Sequence, residues 1–173
     1  MQLLPITTPE LIETVAAWLA EPRNKRWLHF GPGVQSLGAA SLYVMLQKDT
    51  HVLRLYTADE DPRPVIGLVG LSNVDRHFKT ATLWFVLGDE RYAGNGQTLR
   101  AAALLLTFAF RELGLHAIQA WAVDDNREAL DILRSLNFRP IGIQRQCHCM
   151  DGTAHDRLWF DLLASEHKVI AYA

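Results

Sequence analysis

Between the apolar run Thr82 to Leu87 and a long apolar segment starting at Gln97, the chain reads Arg91-Tyr92-Ala93-Gly94-Asn95-Gly96-Gln97-Thr98. The upstream run predicts a buried strand. Gln97 to Leu113, free of proline and glycine, predicts a helix. A strand passing into a helix through two closely spaced glycines lets the backbone turn tightly and aim several N–H groups at one point. The helix start adds unpaired donors and the positive end of its dipole. This junction predicts a phosphate site.

The elements around it follow in a definite order. Leu3 to Ile6 predicts a short strand. Thr8-Pro9-Glu10 opens a helix with a capping residue, a first-turn proline and an acid near the dipole; Pro22 ends it. After an irregular stretch from Arg23 to Ser36, a second helix is expected from about Leu37 to Gln47. His51 to Ala58, Val65 to Leu71 and Thr80 to Leu87 predict an antiparallel meander, the last two strands separated by a polar turn from Ser72 to Lys79. Gly114 caps the long helix, and Ala117 to Val123 is the next strand. Asp125 is expected to cap a helix running to about Leu136, with Glu128 three residues on. Phe138 to Cys149 and Asp156 to Leu163 complete the chain as a hairpin around Asp151-Gly152. The predicted fold is of the α/β (α+β) kind: a central mixed, mostly antiparallel sheet of about seven strands with helices on both faces. Residues 1–165 read as a single domain and residues 166–173 as a C-terminal tail.

Two dinucleotide or nucleotide patterns fail on residues. G-x-G-x-x-G requires a third glycine where Leu99 stands, and a Walker loop requires lysine after Gly96, where Gln97 stands. The net charge of −2 argues against a dedicated nucleic-acid binder. The longest apolar run, Ala101 to Leu106, is far too short to span a bilayer, and the N-terminus carries no secretory pattern. A cytoplasmic protein with no membrane partner is expected, as monomer or homodimer. Cys147 and Cys149, one residue apart on a strand, predict no structural disulfide. In Cys147-His148-Cys149, alternation turns the histidine away from the thiols, so no metal is expected.

Arg91-x-x-Gly94-x-Gly96 resembles the pyrophosphate loop of the GNAT superfamily of acyl-CoA-dependent N-acyltransferases. Asp124-Asp125-Asn126, followed by Arg134 and Leu136-Asn137-Phe138, is similar to that family's D-x-N segment. Asp151-Gly152-Thr153-Ala154-His155-Asp156 resembles the final hairpin of its ribosomal-protein N-terminal acetyltransferase-like branch. The likeness covers nearly the whole chain in element order and implies a GNAT-like fold with acetyl-CoA as co-substrate. It implies that Arg91, Gly94, Asn95, Gly96, Gln97 and Thr98 hold the CoA pyrophosphate. Phe85, Val86 and Leu87 would pair with the pantetheine arm, the Phe85 amide polarising the thioester carbonyl. Asn126 would contact the same arm, and Arg134 a phosphate or the adenine.

The likeness also marks departures. The strand glutamate of many members corresponds to Thr82, the tyrosine acid to Leu133 and the serine that replaces it to Ala129. An ammonium must lose a proton before it attacks a thioester, so a base is needed from elsewhere. Asp75 and His77 are the first candidates, with His116 and His29 behind them; Tyr92 is a further candidate beside the thioester. Each also reads as a surface or packing residue. Arg23, Lys25 and Arg26 beside Trp27, His29 and Phe30 suit an anionic acceptor with a flat ring, such as a nucleotide-linked amino sugar; Trp27, His29 and Thr82 are the expected acceptor contacts. A peptide N-terminus would instead favour acidic groups, and Asp59-Glu60-Asp61 forms such a run. A CoA-binding sensor that had lost catalysis is the remaining alternative.

Overall fold

The computed structural model describes residues 1–169. In chain order the elements are β1 (Leu3–Leu4), α1 (Pro9–Ala20), α2 (Pro22–Lys25), α3 (Ala39–Leu46), β2 (Val52–Thr57), β3 (Val65–Asp75), β4 (Thr80–Leu87), α4 (Gln97–Arg111), β5 (Ala117–Val123), α5 (Arg127–Ser135), β6 (Arg139–Met150) and β7 (Thr153–Leu163). The seven strands form one sheet in the order β1-β2-β3-β4-β5-β7-β6. Every pairing is antiparallel except β4 with β5. The mixed, mostly antiparallel sheet expected from the sequence is present, with helices on both faces.

Strand alternation sends side chains to two cores. On one face Val69, Leu71, Leu83, Ile118, Ala120 and Ala122 pack with Ala102, Leu105, Leu106 and Ala109 of α4 and Leu130 and Leu133 of α5. On the other, Leu53, Leu55, Leu68 and Val86 pack with Val15 and Leu19 of α1 and Leu42 of α3. The alanine-rich face of α4 lets that helix lie close to the sheet, which brings its first turn beside the end of β4.

Boundaries differ from expectation where pairing or capping outweighs polarity. β3 runs on to Asp75 because its register with β4, shifted between Ser72 and Asp75, carries pairing through the polar residues. The final hairpin pairs out to Met150 and Thr153. The long helix ends at Arg111, where Gly114 at φ 64° turns the chain and Leu115 N–H bonds the Ala109 carbonyl at 3.1 Å. Asn126, not Asp125, caps α5: its Oδ1 accepts from Ala129 N–H at 3.2 Å. Glu166 and His167 are tied to the domain, so the chain is anchored past the expected start of the tail. The Glu166 carbonyl accepts from Asn137, its carboxylate pairs with Arg139, and His167 meets Thr107 Oγ1 at 2.9 Å. Residues 170–173 of that tail lie outside the described residues.

Candidate active site

β4 and β5 pair only over Thr80–Thr82 and Ala117–Gln119, then part. Parallel strands separated by a helix crossover need not stay paired, and here they splay into a V whose closed end is Thr82. A continuous cleft runs through the V, past Phe85 to Leu87 and Asn126 to Ile132, to the groove at Gly94 to Leu99.

At the loop end, Gly94 and Gly96 hold φ of 74° and 68°, and a Cβ added at either would meet nothing within 4 Å. The glycines are therefore demanded by backbone conformation, which any L side chain would strain, and the space above them is open. Gly96 is the N-cap of α4 and offers no side chain, so the first-turn N–H groups face the groove uncapped. Gly94, Gly96, Gln97 and Thr98 line it. Asn95 does not, and the Arg91 guanidinium is held by Asp89, with Nη2 to Oδ2 at 2.6 Å. The Arg91 N–H is likewise taken by Asp89 Oδ1 at 3.1 Å, and Arg91 does not line the groove. Thr98 is fixed from below: its hydroxyl lies 2.8 Å from the buried Tyr56 hydroxyl. Burial raises the Tyr56 pKa, keeping it a neutral partner. Gly67 makes room for that ring, since a Cβ there would lie 2.3 Å from the Tyr56 oxygen.

Along the channel, Gly88 N–H bonds the Ile66 carbonyl at 2.8 Å, so the backbone groups of Phe85 and Leu87 point away from β3 and across the cleft. Arg23 and Asn24 of α2 reach the Leu87 carbonyl, each at 3.2 Å, and Arg23 also reaches that of Gly88. These contacts hold the end of β4 open and leave the N–H of Leu87 and both groups of Phe85 for a bound chain. Asn126 lines both the channel and the closed end while it caps α5. Arg134 is absent from the lining; it pairs with Asp131 on the exposed side of α5.

The closed end is an aromatic box of about 110 Å³ bounded by Trp27, His29, Phe30, Trp84 and Trp121, with Thr82 at its apex and Ala129 and Leu133 opposite. Phe30 meets Trp84 edge to face at 5.3 Å. The expected acceptor contacts Trp27, His29 and Thr82 all line it; Thr82 Oγ1 accepts from Gln119 at 3.1 Å. Asp75 and His77 do not. Asp75 ends β3 and His77 sits in the turn to β4, beyond the closed end, where the Asp75 carboxylate accepts the His77 and Phe78 N–H groups, each at 2.8 Å. A carboxylate that stabilises its own turn is spent there. His116 N–H bonds Lys79 in the same region, away from the cleft. Tyr92 lines the loop groove, not the box, and its hydroxyl donates to Glu60. Asp59 pairs with the N-terminal amine and Arg100, and Glu60 with Tyr92, so Asp59 and Glu60 are engaged away from the box. Among the described residues, the histidine that lines the box is His29. Burial, and then the charge of Arg157, lower its pKa, so its ring is neutral near neutral pH.

Residue patterns missed Trp84, Trp121 and Asn24, and they read Arg23 as a cation for the acceptor, whereas it donates to the Leu87 and Gly88 carbonyls at the end of β4. The two tryptophans alternate out of their strands onto one face, a signal that was present. Nothing local marked Arg23 and Asn24 as partners of a strand more than sixty residues away.

The profile of the family described as Acetyltransferase (GNAT) domain matches residues 1–139. The chain belongs to the GNAT acetyltransferase family. It is an enzyme of the acetyl-CoA-dependent N-acetyltransferase class. A GNAT relative, an uncharacterised N-acetyltransferase of Bacillus licheniformis, is 29% identical over 158 residues, covering 90% of this chain and 88% of its own. The fold of this GNAT domain is also that of two solved structures. One is spermidine N-acetyltransferase from Vibrio cholerae in complex with CoA and spermine, with TM-score 0.80, 15% identity and coverage of 95% and 96%. The other is the ribosomal-protein-S5-alanine acetyltransferase from Vibrio fischeri, with TM-score 0.73, 19% identity and coverage of 95% and 93%. Among the described residues, no helix is long and apolar enough to cross a membrane.

Proposed function

We propose that the protein acetylates the primary amine of a small, planar acceptor by direct attack on acetyl-CoA in a ternary complex. The observation that carries this reading is the V between β4 and β5. It joins an uncapped glycine cradle at one end to an aromatic box at the other, with the free amide of Phe85 between them.

The residues present fit the donor. Gly94 to Thr98 supply converging N–H groups in open space for a pyrophosphate, and Phe85 and Leu87 offer strand edges to the pantetheine arm. When bound, acetyl-CoA supplies the activated acyl group. The Phe85 N–H stabilises the carbonyl oxygen as it gains charge. Trp27, Phe30, Trp84 and Trp121 hold the acceptor by its flat face and exclude water. His29, neutral and lining the box, takes the proton from the ammonium, directly or through one water. Leu133 and Ala129 stand where other members carry an acid, and both line the box. The N-terminus of α5 beside Asn126 lends its positive dipole end to the departing thiolate instead.

Thiol release from acetyl-CoA is the test, against a panel of aromatic amines, amino sugars, polyamines and peptides. Turnover is expected on a planar primary amine. Tight CoA binding with no turnover across the whole panel would leave a CoA sensor as the function.

A further inference from the structure

A polar cluster lies behind the aromatic box. Arg157 on β7 is 8% exposed and His148 on β6 is 3% exposed. The Arg157 guanidinium donates to His148 Nδ1, with Nη2 at 2.9 Å and Nε at 3.3 Å. Nδ1 therefore carries no proton, the ring is neutral, and Nε2–H donates to the Arg26 carbonyl at 2.6 Å. The same guanidinium lies 4.2 Å over the Trp121 ring.

Arg157 has no carboxylate partner among the described residues. Asp151 is engaged by Arg26, Asp124 by His155, and Asp156 by the Gln146 N–H. The groups that face Arg157 are the His148 imidazole from β6, the Trp121 indole from β5, and Cys147. From the acceptor loop come His29, whose pKa the Arg157 charge helps to lower, and the Arg26 carbonyl held through His148. A buried guanidinium without an anion is costly, and here only neutral acceptors and an aromatic face offset it. Arg157 does not itself line the box. It stands behind Trp121, which does, and among the described residues no aspartate or glutamate lines the box. The cavity is thus walled by aromatic rings, with a positive charge behind the Trp121 wall and, among the described residues, no carboxylate in its lining.

We infer that Arg157 sets acceptor specificity: the site takes a planar primary amine that also bears an anionic group, carboxylate or phosphate, and turns away polycationic amines. This rests on the acyl-transfer reading above. The anionic group settles on the Trp121 side of the box, where Arg157 supplies the missing countercharge, while the amine points to Phe85 and His29. His148 completes the arrangement by tying the loop that carries Trp27, His29 and Phe30 to the same guanidinium.

Three acceptors with one ring and one aminomethyl group test it: benzylamine, para-aminomethylbenzoate and para-xylylenediamine, with spermidine as a polycation. The expected order of kcat/KM is carboxylate over neutral by about fivefold or more, with the diamine and spermidine lowest. Raised salt narrows the spread. Arg157→Met brings the three ring amines within about twofold of one another, Arg157→Lys keeps the order, and CoA affinity is unchanged in both. A wild-type preference for the diamine or spermidine overturns the inference, with no variant needed. So does an order unaltered in a folded Arg157→Met protein. Should no amine release thiol, the transfer reading fails. Calorimetric titration of the three ring amines into CoA-saturated protein then reads charge preference alone: the same order supports it, and the reverse order or no binding overturns it.

Discussion

The cradle at Gly94–Thr98 and the aromatic box around Trp27 and Trp121 are two ends of one cleft with different origins. The cradle is contiguous in sequence, and its work falls to backbone N–H groups whose aim depends on two left-handed glycines. The box draws side chains from the acceptor loop, β4, β5 and α5, and its charge from a residue on β7 that does not touch it. A backbone site tolerates almost any side chain but not a change of φ. A side-chain site tolerates changes of local conformation but not of the residues that fill it.

The sharpest way to break this comparison is at Gly96. Replacing it by valine forces a β-branched residue to φ 68° and puts carbon into the open cradle. CoA affinity should fall by about two orders of magnitude, while the fold survives because the new Cβ meets no protein atom. Calorimetry with CoA checks it; undiminished affinity would remove the cradle from the donor site. Trp121→Ala should do the converse, raising acceptor KM by about tenfold and leaving the CoA dissociation constant within about twofold. If both parameters move together, the two ends are not separable.

Arg23→Met tests whether the channel between them is held open from α2. Losing its bonds to the Leu87 and Gly88 carbonyls should raise KM for acetyl-CoA about fivefold with acceptor KM unchanged. Tyr56→Phe removes the hydroxyl under Thr98 and should cost about 1 kcal/mol of stability, read from denaturant midpoints, with a small loss of CoA affinity.

The smallest effect is one of pH. Burial first, and then the Arg157 charge, hold the His148 pKa below the ordinary imidazole value, against the opposing pull of the Arg26 carbonyl. Between about pH 6.5 and that lower folded value, the unfolded chain binds a proton that the native state does not. Stability from this group is therefore full above about pH 6.5 and is lost as pH falls through the window. His29, His51 and His167 are shifted the same way, so the wild-type slope sums several groups. His148→Gln, which can still accept from Arg157 and donate to Arg26, should flatten the slope by at most about 1.4 kcal/mol per pH unit. Urea titrations from pH 7 to pH 5 measure it, and an unchanged slope would mean that His148 does not titrate with unfolding.

How much could be read in the residues follows the same division. Gly94 and Gly96 were legible because left-handed turns at a helix start leave local marks; Thr98 and Asn126 were named by resemblance, and the cap expected at Asp125 falls to Asn126. Trp27, His29 and Thr82 were placed in the acceptor end by resemblance, and the structure sets all three around one cavity. Asp75 and His77 were misplaced because proximity along β3 and β4 does not say at which end of a strand the cleft opens. The parallel register of β4 with β5 decides that, and it closes the sheet at Thr82, between the turn and the box.

The amino-acid sequence alone, then, carried the order of elements apart from α2, the two-faced core and a backbone cradle of the kind that suits a phosphate. Each depends on periodicity or on conformations few residues accept. That β4 and β5 part after Thr82, that α2 clamps the end of β4, and that Arg157 stands behind Trp121 with no carboxylate partner among the described residues emerged with the tertiary structure alone. Those facts depend on which distant groups meet, and burial among those groups is what leaves a charge without its partner.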